Sequence, residues 1–103
     1  MSHTADLDYH FTCEAAPVQA EGSVDGYRFY FRAKYEEWTF SVAEQPGLDP
    51  VDIDSSGAAA GRGYFLSATY GSPRSSAASH MPIPEAQQLI EECVRRYRAE
   101  RAA

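Results

Sequence analysis

VQAEGSVDGYRFYFRAKYEEWTFSV, residues 18 to 42, alternates apolar and polar side chains, is rich in strand formers, and contains Asp25-Gly26. A type I′ turn needs positive φ at both central residues, which Asp and Gly tolerate, so this dipeptide predicts a β-hairpin with a two-residue loop. The register follows: Val24 opposite Tyr27, Gly22 opposite Phe29, Ala20 opposite Phe31 and Val18 opposite Ala33, all on one face. On the other face Ser23 meets Arg28, Glu21 meets Tyr30 and Gln19 meets Arg32. A second two-residue loop is expected at Glu36-Glu37, pairing Tyr35 with Trp38, Ala33 with Phe40 and Phe31 with Val42. The two turns agree on one apolar face.

Working outward, Tyr9 to Glu14 alternates and predicts a first strand, preceded by a loose terminus over residues 1–8 and followed by a bend at Ala15-Ala16-Pro17. Residues 44–63, EQPGLDPVDIDSSGAAAGRG, lack sustained periodicity and predict a long loop, either functional or mobile. Tyr64 to Tyr70 predicts a fifth strand, antiparallel to the fourth, and a second polar loop follows. Pro82 and Pro84 suit the first turn of a helix over residues 82–98, with Ser79 or His80 near its N-cap. Ala86, Leu89, Ile90, Cys93, Val94 and Tyr97 form its apolar stripe. Acids early and arginines late complement the helix dipole, and Glu91 with Arg95 and Glu92 with Arg96 have the favourable i,i+4 order. Strands followed by one helix imply an α+β fold: an antiparallel meander of four to five strands with the helix on its aromatic face, in one domain over residues 1–103.

The chain has 103 residues, 44% hydrophobic and 13% aromatic, enough for one core and too ordered a composition for wholesale disorder. No run approaches the roughly 18 apolar residues of a membrane span, and MSHTADLDYH lacks the basic and apolar regions of a signal peptide, so a cytoplasmic protein without a membrane partner is expected. Cys13 and Cys93, without CxxC spacing, are expected as reduced core thiols rather than a disulfide. Net charge is −6, with eleven acids against Arg28, Arg32 and Lys34 in residues 1–54. That balance disfavours nonspecific binding of DNA or anionic membranes and suits a basic partner.

Motifs for catalysis are weak. Asp52-Ile-Asp54-Ser-Ser56-Gly57 begins like a calcium loop, but twelve residues from Asp52 end at Gly63, where a bidentate Glu is needed; no metal is expected. Gly57 to Gly63 has neither P-loop spacing nor a following Lys-Ser/Thr and reads as a flexible connector, with Arg62 available to touch an anion. His3, His10 and His80 are scattered, His10 faces away from Cys13, and Ser55, Ser56, Ser75, Ser76 and Ser79 have no nucleophile elbow. No cofactor is expected, and the chain reads as a non-enzyme.

The informative surface is the polar side of the hairpins, where Arg28, Tyr30, Arg32 and Lys34 line one strand beside Thr39 and Ser41. Arg and Tyr are favoured in protein interfaces, so a protein partner is expected there and at Asp49, Asp52, Asp54 and Arg62. The alternative is a small-ligand or single-stranded nucleic-acid module, in which basic residues hold a backbone and Tyr30 stacks a base. Against it stand Glu21 opposite Tyr30, the acidic charge and the lack of an RNP-like motif. Homodimerisation through an exposed edge strand is compatible with either.

The run Val24-Asp25-Gly26, then Phe29-Tyr30-Phe31-Arg32-Ala33 and Trp38, resembles a hairpin of small uncharacterised bacterial and prophage-borne proteins of about this length. The resemblance covers about a fifth of the chain and carries no catalytic residues. It implies an accessory protein of mobile elements, where inhibitors and immunity-type proteins occur.

Overall fold

Five strands run in sequence order: β1 (Leu7–Glu14), β2 (Val18–Val24), β3 (Tyr27–Lys34), β4 (Glu37–Ala43) and β5 (Gly63–Thr69), each antiparallel to the next. The computed structural model describes residues 7–71 and 77–102. The expected α+β architecture is present: this meander carries a C-terminal helix, α2 (Ile83–Ala102), on its aromatic face. Leu7 and Asp8, expected in the loose terminus, belong to β1; the rest of that terminus, with Ser75 and Ser76 of the second loop, lies outside the described residues. β5 begins one residue earlier than expected, and Tyr70 leaves the strand.

The first hairpin has the expected register throughout, with Asp25 at φ +52° and Gly26 at +89°. The second differs. Ala33 pairs with Trp38, Phe31 with Phe40 and Phe29 with Val42, so the loop is Tyr35-Glu36 rather than Glu36-Glu37. The shift displaces each pairing by two positions and therefore leaves every side chain on its expected face. Its cause lies outside the hairpin, in a 3-10 turn at Ala77–His80. Tyr35 N–H donates to Ser79 Oγ (2.6 Å), and Tyr35 C=O accepts from Ala78 N–H (2.8 Å). Ser79 C=O accepts Ala16 N–H at 2.7 Å, tying the bend before β2 to the same segment. Ser79 and His80 are thus in this turn and not at the N-cap of α2, which also runs four residues beyond the expected end.

Phe29, Phe31, Phe40 and Val42 are buried, and Phe31 stacks on Trp38 with centroids 6.2 Å apart. α2 buries Ala86, Ile90, Cys93, Val94 and Tyr97 against them, with Leu89 half-buried beside. Burying large side chains of this kind contributes roughly 1.5–3 kcal/mol each. The extra turn of α2 is held by charge: Arg98 makes two hydrogen bonds to Asp25 (2.8 and 3.0 Å), and Arg101 grips Glu44 through Nε and Nη2 (2.6 and 2.5 Å). On the exposed helix face the ion pair that forms is Glu92–Arg95, three residues apart, in place of the expected i,i+4 pairs.

Residues 44–63 are not a featureless loop. Asp49 caps a 3-10 turn at Pro50–Asp52, accepting Val51 N–H at 3.0 Å with Pro50 in the first position. Asp54 caps α1 (Ser55–Ala59), accepting Gly57 N–H at 2.9 Å. The glycine-rich connector is the end of that helix: Gly61, at φ +80°, donates to Ala58 C=O, and Arg62 N–H donates to Gly57 C=O, a Schellman motif. The segment folds back on the sheet face opposite α2. Pro50, Ile53, Ala43 and Gly63 are buried, and buried Ser41 donates its hydroxyl to Pro50 C=O at 2.6 Å.

Candidate functional site

The polar sheet face is built from four cross-strand rungs. Ser23, Arg28, Ala43 and Gly63 form one; Glu21, Tyr30, Ser41 and Phe65 the next; Gln19, Arg32, Thr39 and Ser67 the third; Lys34, Glu37 and Thr69 the fourth. The folded acidic segment closes the first two rungs at β4 and β5. The third and fourth stay open.

This division separates the residues expected to bind a partner. Arg28 sits beside the segment, its Nη2 4.0 Å from Asp49 Oδ1, so a residue expected on the basic strip is already faced by one from the acidic loop. Asp49 and Asp54 spend their carboxylates on capping. Asp52 is exposed and lines, with Asp54, Ser56 and Arg62, a shallow cavity of about 430 Å³ against α1. Arg62 is therefore next to acids of its own chain, on the far side of the segment from Arg32 and Lys34. What the structure does bring together is Tyr30, Arg32 and Lys34, all half-buried along β3.

Around them the electrostatics are mixed. Burial pushes the Tyr30 phenol above its ordinary range, Arg32 opposes that shift and Glu21 reinforces it. Arg32 Nε is buried without a hydrogen-bond partner among the described residues. Lys34 Nζ lies 4.9 Å from the centroid of Tyr35. Arg32, Lys34, Tyr35, Glu37 and Thr39 line a cavity of about 340 Å³, and Lys34, Tyr35 and Glu37 continue into a second, of about 470 Å³, reaching Thr69 and Gly71. Tyr35 is the residue that sequence reasoning missed here, because the expected register placed it inside the strand pairing. Its signal is only visible once the turn is known to be Tyr35-Glu36.

A second polar cluster fastens α2. Glu44 accepts from Tyr97 Oη (2.6 Å) and from Arg101, whose guanidinium lies 5.3 Å from the ring centroids of both Tyr64 and Tyr97. Tyr64 donates to Glu100 at 2.5 Å, and Tyr70 to Glu85. The Arg101 hydrogen bonds hold the Glu44 carboxyl below its usual range, while burial and Glu44 raise the Tyr97 phenol. Its partners are all internal, so the cluster reads as a fastening.

Both cysteines are free; burial pushes the Cys93 thiol up to about 12, whereas half-buried Cys13 donates to Ala15 C=O at 3.2 Å. Among the described residues, no three His, Cys, Asp or Glu side chains group as metal ligands, and no helix is long and apolar enough to cross a membrane.

Fold and site together define a two-layer α+β domain whose sheet is covered by a helix on one face and half-covered by an acidic segment on the other. The chain matches no protein-family model, and no curated protein or solved structure matches it significantly.

Proposed function

We propose that this chain is a small non-enzymatic accessory protein that docks another protein on the open half of its polar sheet face, through Tyr30, Arg32 and Lys34. The observation that carries this reading is the selective coverage: the acidic segment folds over the β4–β5 end and leaves this strip accessible. Arg and Tyr supply rigid or forked contacts at low entropic cost and are enriched where proteins bind one another. Asp52, which caps nothing, is the acid of the segment left for contact. Free thiols at Cys13 and Cys93 support a cytoplasmic setting. The resemblance of the first hairpin to prophage-borne proteins supports an inhibitor or immunity-type role.

The test is affinity capture with the wild-type chain, Arg32→Glu/Lys34→Glu and Asp52→Ala. One protein retained by the wild type, surviving nuclease treatment and lost with the double variant, is the expected result. Retention abolished by nuclease and falling steeply with salt would instead establish the nucleic-acid module.

A further inference from the structure

Tyr35 combines properties that stability does not account for. Its φ is +58°, a conformation glycine adopts freely and a side chain does not. Its side chain is 63% exposed, so the ring contributes little to the core. Its backbone is nonetheless fixed from both sides, by Ser79 Oγ and by Ala78 N–H. A strained conformation persists only where the surroundings impose it, and such positions gather at binding sites, where the presented side chain is what is being used.

We propose that Tyr35 is the anchor of the docking face: its phenol ring enters a pocket of a folded protein whose rim carries a carboxylate facing Lys34 and Arg32. This deepens the reading of the open sheet face and rests on it. The occupant follows from charge. Arg32 and Lys34 line the same cavity as Tyr35, with Glu37 the one carboxylate there, so this spot is locally positive on a chain of net charge −6. Arg32 Nε lacks an acceptor, which a carboxylate would supply. A stacked base would compete with the Lys34 ammonium for the ring face, and a symmetric second copy would bring Arg32 and Lys34 against their own counterparts.

The experiment places p-benzoylphenylalanine at position 35 and, separately, at position 39 on the open face, with irradiation in the protein's native cells. The cross-linked protein is then purified and titrated with the wild-type chain, Tyr35→Gly and Lys34→Glu. The expected result is one discrete protein adduct at position 35, binding weakened at least about tenfold by Tyr35→Gly and also by Lys34→Glu, and a Tyr35→Gly chain that melts no lower than the wild type. A partner captured at position 39 that binds Tyr35→Gly as tightly as wild type overturns the anchor while the docking face stands. No protein adduct at either position overturns both. An adduct with RNA or with a second copy, or a lower melting temperature for Tyr35→Gly, overturns the anchor.

Discussion

The two turns that close the central hairpins have equal length and opposite construction. Asp25-Gly26 is made of residues that reach φ +52° and +89° at little cost, and its register follows from those two residues alone. Tyr35-Glu36 puts an aromatic at φ +58° and relies on Ser79, 44 residues away in the chain, to hold it. One turn is specified locally and the other by tertiary structure. The same loop geometry can thus be a cause of the fold or a consequence of it.

The comparison can be broken most severely at the strand the turns share. Phe31 faces Ala20 in the first hairpin and Phe40 in the second, so Phe31→Ala should cost about 3–5 kcal/mol in urea denaturation and loosen both hairpins alike. Ser79→Ala separates them: it leaves Tyr35 N–H without its acceptor, at about 1–3 kcal/mol. Hydrogen exchange should speed at the Lys34 and Glu37 amides, next to the second turn, and stay unchanged at Val24 and Tyr27.

Paired turn substitutions should then have opposite signs. Gly26→Ala forces a side chain into the left-handed region and should lose about 1 kcal/mol, whereas Tyr35→Gly relieves that strain and should gain up to about as much. Thermal melts of both variants check this. The smallest effect concerns the helix end, which reaches the first turn through Arg98–Asp25 and Glu44 through Arg101. Glu44 has a depressed folded-state pKa, so its contribution is present above the unfolded glutamate range, about 4.3, and is lost as pH falls through the folded value. With Arg101 partly exposed, that contribution is at most about 1 kcal/mol. Denaturation midpoints of wild type and Glu44→Gln should converge as pH falls toward 3.

The contrast between the turns also explains what was legible in the sequence. The first hairpin, the apolar face, the helix stripe and the strip Tyr30, Arg32, Lys34 follow from alternation and a turn dipeptide, which are local. The second turn was misplaced because Glu36-Glu37 and Tyr35-Glu36 are equally poor in turn residues, and only Ser79 decides between them. In residues 44–63 the caps were present as Asp49-Pro50 and Asp54-Ser55-Ser56, but a five-residue helix has too little periodicity to announce itself. That Pro50 and Ile53 would cover Ser41, and that Asp49 would face Arg28, depended on where the segment lands, which no local pattern carries.

The strict sequence order of the meander has a consequence for synthesis. All five strands are available by Thr69, whereas the helix that covers their aromatic face starts at Ile83. A nascent chain can therefore zip up its sheet while Phe29, Phe31, Trp38 and Phe40 still face water. Until α2 follows, the growing polypeptide carries a sticky surface of the sort that chaperones bind and that favours aggregation.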